Sequence, residues 1–172
     1  MLVGNCKPGL AGTRDRAILL VGQGSAMRRS ELASLNVDDL AFDETGLTIQ
    51  LRQYKGCRNG EVREILIPAN AEKAICPVQA LRDWLADAGL TNGPVFRYVR
   101  RGDHLEDRRL SGHAIALVIK RYAAGDYSGM SLRSGFVTQA ALDGVPDLVI
   151  MAQTGHRSIP MVLRYLRLNK RS

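Results

Sequence analysis

Side chains suited to chemistry at an anionic group occur at widely separated positions of the 172-residue chain. Arg28 stands at the start of a candidate helix, and Arg133 lies within another. Lys55 lies in a candidate hairpin, and His156 and Tyr165 lie near the end of the sequence. A guanidinium group binds two phosphate oxygens at once, a tyrosine oxygen can be a nucleophile, and a lysine can donate a proton. These residue types could act together on an anionic group.

The first half of the chain carries the elements that must position Arg28 and Lys55. Hydrophobic periodicity predicts a helix from Arg14 to Val21, an interruption at Gly22–Ser25 and a second helix from Met27 to Leu35. An alternating pattern and an Asn59-Gly60 turn then predict strands that form a small antiparallel sheet. These strands cover residues 37–42, 47–52 and 62–67.

The second half reads as helical. Helix starts are predicted at Pro77, Ser111, Ser131, Pro146 and Ser158, each followed by apolar residues at helical spacing. The predicted fold class is therefore α+β and mainly helical, with a three-stranded antiparallel sheet on one edge.

Composition narrows the function classes. The formal net charge is +7, which favours a polyanionic partner. The chain has no apolar run long enough to span a bilayer. Charge alone does not separate nucleic acid from a membrane surface, and we expect no membrane partner. Three cysteines, Cys6, Cys57 and Cys76, have no metal-type spacing, so we expect reduced thiols in the cytoplasm and neither a bound metal nor a cofactor.

The order and spacing of the chemical segments resemble the catalytic domain of the tyrosine recombinases, the phage integrase family. The resemblance extends from about Arg14 to Arg167. It is carried by Lys55 and by four motifs: Ala26-Met27-Arg28-Arg29-Ser30-Glu31-Leu32, Ser128-Gly129-Met130-Ser131-Leu132-Arg133-Ser134-Gly135, Thr154-Gly155-His156-Arg157-Ser158 and Arg164-Tyr165-Leu166-Arg167.

This resemblance implies a role for each residue. Arg28 and Arg133 would clamp one DNA phosphate, and Tyr165 would attack it to form a 3′-phosphotyrosine ester. Lys55 would protonate the departing 5′ oxygen, and His156, nine residues before Tyr165, would orient the phosphate. Glu31 stands where the family places a supporting acidic residue.

Met130 departs from the family pattern. The family normally has a histidine three residues before the second arginine, and a thioether can neither donate a hydrogen bond nor transfer a proton. We therefore expect a recombinase domain that is slowed or inactive, whether as a natural variant or through a deliberate substitution.

The resemblance also implies an organisation and partners. Residues 1–13 are expected to be a lead-in and residues 14–172 the catalytic domain, with the family's preceding DNA-clamping domain absent. The partner would be double-stranded DNA, bound by a chain that is a monomer when free and a tetramer on paired DNA sites. The reaction needs no metal.

Two other functions stay open from the sequence. A non-catalytic DNA-binding relative is favoured by Met130 and the absent clamping domain. A type IB topoisomerase resembles this family in its site and would relax supercoiled DNA without strand exchange.

Overall fold

The computed structural model describes residues 2–52, 61–122 and 131–155, and these ranges contain six α-helices and five β-strands. The helices are α1 (Leu10–Ser25), α2 (Arg29–Ser34), α3 (Pro77–Asp87), α4 (Gly112–Tyr122), α5 (Ser131–Leu142) and α6 (Asp147–Thr154). The strands are β1 (Leu40–Phe42), β2 (Gly46–Leu51), β3 (Arg63–Pro68), β4 (Arg97–Arg100) and β5 (His104–Arg109).

The predicted three-stranded sheet is confirmed. Its order is β1-β2-β3 with antiparallel pairing throughout. Leu47 pairs with Ile67 and Ile49 with Ile65, and all four side chains are buried, as the alternating pattern requires. The predicted turn at Asn59-Gly60 lies outside the described residues.

The first strand is shorter than predicted. Val37–Asp39 forms a 3₁₀ turn rather than the beginning of β1. The cause is local, because the Asp39 carboxylate accepts the backbone N–H of Asn36 at 2.9 Å and bends the chain there.

Helix α1 is continuous, so the predicted interruption at Gly22–Ser25 is wrong, and the helix also begins at Leu10 rather than Arg14. The two glycines allow close packing instead of ending the helix. A Cβ on Gly22 would lie 2.7 Å from Leu132 Cδ1, and one on Gly24 would lie 3.2 Å from Pro77 Cγ. The missing side chains thus let α5 and α3 approach α1.

The later helices match their predicted starts. Pro77 occupies the first position of α3, and Gly89, with φ of 60°, follows its end. Ser111 Oγ accepts the Ala114 N–H at 3.1 Å at the start of α4. Helix α5 spans the predicted residues 131–142, and α6 follows Pro146. The predicted final helix at Ser158 lies outside the described residues.

A second, two-stranded sheet was not predicted. Strands β4 and β5 pair antiparallel across a turn that contains Gly102 and Asp103, both with positive φ. Their sequences, RYVR and HLEDRR, are mostly charged and carry little apolar alternation. The charge-rich stretch is therefore a surface hairpin rather than a loop.

The main core surrounds α1. The elements α1, α2, the three-stranded sheet, α3 and α4 contribute fully buried members, which include Ile18, Leu32, Ile49, Ile65, Leu81, Trp84 and Ile115. A smaller cluster of Val137, Ala140 and Ile150 joins α5 to α6. None of the helices in the described ranges is long and apolar enough to cross a bilayer.

A buried carboxylate fastens α1 to the end of α4. Asp15 is fully buried, and its Oδ1 accepts Arg14 Nη2 at 2.6 Å and Nε at 3.0 Å. Its Oδ2 accepts Arg121 Nη1 at 3.0 Å and the Tyr122 hydroxyl at 3.1 Å. Burial, followed by the Asp15 charge, raises the pKa of Tyr122 and of the Cys6 thiol. This network fixes the point from which the chain leaves α4 toward Arg133.

Replacing Asp15 by alanine is expected to lower the free energy of unfolding by about 3 to 5 kcal/mol, because Arg14 would stay buried without its carboxylate. Urea unfolding followed by circular dichroism measures the loss. Asp107→Ala is the matched control, since Asp107 is exposed and Arg97 keeps the carbonyls of Asn92 and Pro94; its loss should be about 1 kcal/mol or less. Equally small losses of unfolding free energy in both variants would show that Asp15 does not stabilise the buried Arg14.

Candidate active site

The described residues include two of the six site residues predicted from the sequence, Arg28 and Arg133. Lys55, Met130, His156 and Tyr165 lie outside them, and their roles stay predictions. Glu31 and Gly155, which adjoin predicted site positions in the sequence, are described and give further geometry.

Arg28 is presented by a strained turn. Helix α1 ends at Ser25 and is followed by Ala26, which has a left-handed backbone with φ of 52° and is fully buried. A non-glycine residue in this region costs about 1 kcal/mol or more, so surrounding contacts must hold it there. The turn places Arg28 at the N-cap of α2 with an extended backbone.

Glu31 fixes the Arg28 side chain. The Glu31 side chain is 2% exposed; its Oε1 accepts Arg28 Nη1 at 2.6 Å and its Oε2 accepts the Arg28 backbone N–H at 2.8 Å. The first bond is a charge-assisted contact to the guanidinium, and the second satisfies a backbone donor at the helix start. Glu31 thus contacts both the side chain and the backbone of Arg28, and the supporting role implied by the resemblance stays a prediction.

Arg133 reaches the same turn from α5. It is 3% exposed, and its Nη1 donates to the carbonyl oxygen of Ala26 at 3.0 Å. The bond therefore helps to hold the strained residue that precedes Arg28. Both predicted arginines are thus attached to one short segment, although 105 positions separate them in the sequence.

Arg63 is a third arginine near this turn, and the sequence interpretation missed it. We refer to Arg28, Arg63, Arg133 and Glu31 as the arginine cluster. Its Nη2 donates to Glu31 Oε2 at 3.2 Å, and its side chain is 13% exposed. A signal for it exists in the sequence, because Arg63 has the same parity as the inward-facing Ile65 and Ile67 of β3. A charged residue on the core-facing side of a strand requires a partner.

The Arg63 guanidinium also packs against Gly155, the residue before His156. A Cβ built on Gly155 would lie 2.1 Å from Arg63 Nη1, and the backbone of Gly155 has φ of 67°. The positive φ favours glycine at this position, and a side chain here would displace the Arg63 guanidinium. The end of α6 therefore lies against the same arginine that contacts Glu31.

The arginine cluster is rich in guanidinium groups. Those of Arg28 and Arg63 contact the Glu31 carboxylate, and that of Arg133 binds the neighbouring Ala26 carbonyl. Arginines held in advance by protein acceptors can bind an anion without much reorganisation, which is the condition for stabilising charge in a transition state. The arrangement suits the oxygens of a phosphate group.

Other arginines serve the fold. Arg109 donates to the carbonyls of Ala33 and Leu35 at 2.8 and 2.9 Å, and so ties β5 to the end of α2. His104 and His113 are exposed, as predicted. Across residues 2–52, 61–122 and 131–155, His, Cys, Asp and Glu side chains form no group of three that could hold a metal ion.

Comparison with known sequences matches the chain to one protein family. The sequence model described as "Phage integrase family" matches residues 1–172. A curated protein of Selenomonas ruminantium named "Integrase/recombinase xerD homolog" is 40% identical over 163 residues, covering 91% of this chain and 48% of that protein. "Tyrosine recombinase XerC" of Myxococcus xanthus is 29% identical over 162 residues, covering 90% of this chain and 50% of that protein.

Comparison with solved structures gives the fold. XerH site-specific recombinase, crystallised with its difH substrate, superposes with a TM-score of 0.71 at 18% identity, over 98% of this chain and 48% of that one. The XerA recombinase superposes with a TM-score of 0.68 at 22% identity, over 89% of this chain and 51% of that one. The chain spans about half the length of the curated relatives it matches.

Proposed function

Since the chain belongs to the phage integrase family, we propose that it is the catalytic domain of a site-specific DNA recombinase that cuts and rejoins strands through a covalent tyrosine ester. The observation that carries the proposal is the shared anchoring of Arg28 and Arg133. Arg133 binds the Ala26 carbonyl, and Arg28, two residues after Ala26, is the N-cap of α2 with its guanidinium held by Glu31.

The two arginines stabilise the reacting phosphate. Nucleophilic attack places additional negative charge on the non-bridging oxygens, and fixed guanidinium donors lower the barrier by binding that charge. Their positions are set by the fold before DNA arrives, because each is tied to a backbone or carboxylate acceptor.

The chemical steps use side chains outside the described residues. The Tyr165 oxygen attacks the phosphorus and its proton passes to solvent, while the bond from phosphorus to the 5′ oxygen breaks and a 3′-phosphotyrosine ester forms. Lys55 supplies the proton that the departing 5′ oxygen takes up, and His156 donates to the phosphate. Rejoining reverses these transfers, so the energy of the phosphate ester is conserved. The residues named here suffice for this transesterification without a metal ion.

The partner we propose is double-stranded DNA. The net charge of +7 supports binding to the phosphate backbone, and affinity should fall as salt rises. We further propose a monomer in solution, a tetramer on two paired sites, and a cytoplasmic location, which the odd number of cysteines supports.

A suicide-substrate assay tests this function. The probe is a fluorescent pool of duplexes with a randomised centre and a nick within it, so that cleavage releases a short strand and traps the adduct. In the presence of a chelator, we expect a protein–DNA adduct that survives denaturant. If repeated enrichment of the pool yields no adduct, the proposed activity is wrong.

A non-catalytic DNA-binding protein is the second candidate, and Met130 favours it. Such a protein would bind duplexes selected from the same pool with a steep salt dependence but would form no adduct. Relaxation of supercoiled plasmid without strand exchange would instead indicate a type IB topoisomerase.

A further inference from the structure

Arg63 contacts parts of the site that come from distant regions of the sequence. We propose that it is a positioning residue, which sets the orientation of Arg28 through Glu31 and the position of the chain entering His156 through Gly155. The inference rests on the proposed function, because it assigns Arg63 a role in that same site.

The first step is the shared carboxylate. Glu31 Oε2 accepts both the Arg28 backbone N–H at 2.8 Å and Arg63 Nη2 at 3.2 Å, while Oε1 accepts Arg28 Nη1 at 2.6 Å. Glu31 is 2% exposed, so its direction is set by these donors rather than by water. Loss of Arg63 would let the carboxylate rotate, and the Arg28 guanidinium would turn with it.

The second step is the contact with Gly155. The Arg63 guanidinium occupies the space that a Gly155 side chain would need, with Nη1 2.1 Å from the Cβ position. The last turn of α6 ends at this contact, where the Gly155 N–H donates to the Met151 carbonyl at 2.7 Å. Arg63 therefore limits where the backbone can lie just before His156.

The third step is the location of Arg63 in the hairpin. Arg63 is the first residue of β3 and pairs with Leu51, the last residue of β2. The segment between these strands contains Lys55. Arg63, which follows that segment in the sequence, thus contacts both Glu31 and the end of α6.

The alternative is that Arg63 forms a purely structural ion pair. Comparing the adduct-forming rate with the dissociation constant for DNA distinguishes this role from a positioning role. With a duplex recovered from the adduct assay, Arg63→Ala should lower the adduct-forming rate at saturating DNA by about 10- to 100-fold, as small misplacements of reacting groups do. The dissociation constant for the same duplex should change less than about 2-fold, since a positioning role acts on the transition state. Arg63→Lys keeps the charge but lacks the planar fork, so it should restore only part of the rate.

Arg16→Ala is the matched control for loss of an ion pair. Arg16 pairs with Asp83 at 3.5 Å and binds the carbonyls of Lys73 and Ala74, away from the site. Its adduct-forming rate should equal that of the unmodified chain. An Arg63→Ala rate equal to that of Arg16→Ala would overturn the proposal.

A pair of glycine variants tests the second contact. Gly155 and Gly144 have φ of 67° and 75°, so alanine is similarly strained at both, but a Cβ on Gly144 would meet nothing within 4 Å. Gly155→Ala should therefore slow adduct formation by about 10-fold or more, and Gly144→Ala should not. In the Arg63→Ala background the Gly155 effect should shrink, because the displaced group is gone. Equal effects of the two glycine variants would contradict the contact.

An NMR measurement tests the proposal without requiring DNA cleavage. The arginine Nε–H resonances of the full chain, assigned by substitution, report the surroundings of each guanidinium. The Arg28 resonance should shift in Arg63→Ala and in Gly155→Ala, and stay in place in Gly144→Ala and Arg16→Ala. If the unmodified chain forms no adduct, the proposed function fails while this measurement still decides on Arg63; an unmoved Arg28 resonance overturns the positioning role.

Discussion

Replacing Tyr165 by phenylalanine is expected to abolish the covalent protein–DNA adduct completely. The variant lacks the phenolic oxygen that attacks the phosphorus, and water in its place would release the DNA instead of holding it. Denaturing gel electrophoresis of the nicked-duplex reaction measures the adduct. Binding of the intact duplex should weaken by no more than about 10-fold, since one hydroxyl contributes about 0.5 to 1.5 kcal/mol to a neutral contact and the phenol acts in the chemical step.

Tyr98→Phe is the matched control for this loss. The Tyr98 ring lies 3.9 Å beneath the Arg108 guanidinium carbon, a contact that phenylalanine preserves. Its adduct yield should equal that of the unmodified chain. Persistence of the adduct in Tyr165→Phe would show that another residue is the nucleophile.

Replacing Met130 by histidine is expected to raise the rate of adduct formation by about 10² to 10³, the usual effect of one positioned donor in such a site. Position 130 is three residues before Arg133 in the sequence, and we expect a histidine there to bind the same phosphate as Arg133. Single-turnover kinetics at saturating nicked duplex measures the gain.

A control variant and a pH profile show whether the gain in rate comes from the added imidazole. Met130→Leu alters the side chain without adding a donor and should produce no gain. The pH profile of Met130→His should gain an ionisation near the ordinary range of histidine, about 6.5. A rate equal to that of the unmodified chain would mean that the methionine is no impairment.

The three-stranded sheet and the later helices were predictable because they follow from local periodicity, whereas the mostly charged strands β4 and β5 were not. The β2–β3 pairing follows from alternation at Leu47, Ile49, Ile65 and Ile67, and α5 follows from its apolar spacing. The break assigned to Gly22–Ser25 failed because a glycine is ambiguous without its neighbours. Nothing in the local sequence shows that Leu132, more than a hundred residues away, packs against Gly22.

The site was predictable in its residue types but not in its contacts. The spacing of Arg28 and Glu31 fits one turn of helix, and their ion pair follows from that. The bond from Arg133 to the Ala26 carbonyl and the contact of Arg63 with Gly155 depend on how α5, β3 and α6 meet α1 and α2. Contacts between these elements are set by tertiary packing, and a single sequence contains no local signal for them.

The convergence of Arg28, Arg133 and Tyr165 on one phosphate is the central claim, and a crystal structure of the chain bound to a nicked duplex tests it most directly. The distance to measure runs from the Tyr165 hydroxyl oxygen to the phosphorus between the two guanidinium groups. We predict about 3 to 3.5 Å, with both arginines donating to the non-bridging oxygens. A Tyr165 side chain on a different face of the domain, with the phosphate bound away from Arg28 and Arg133, would contradict the claim.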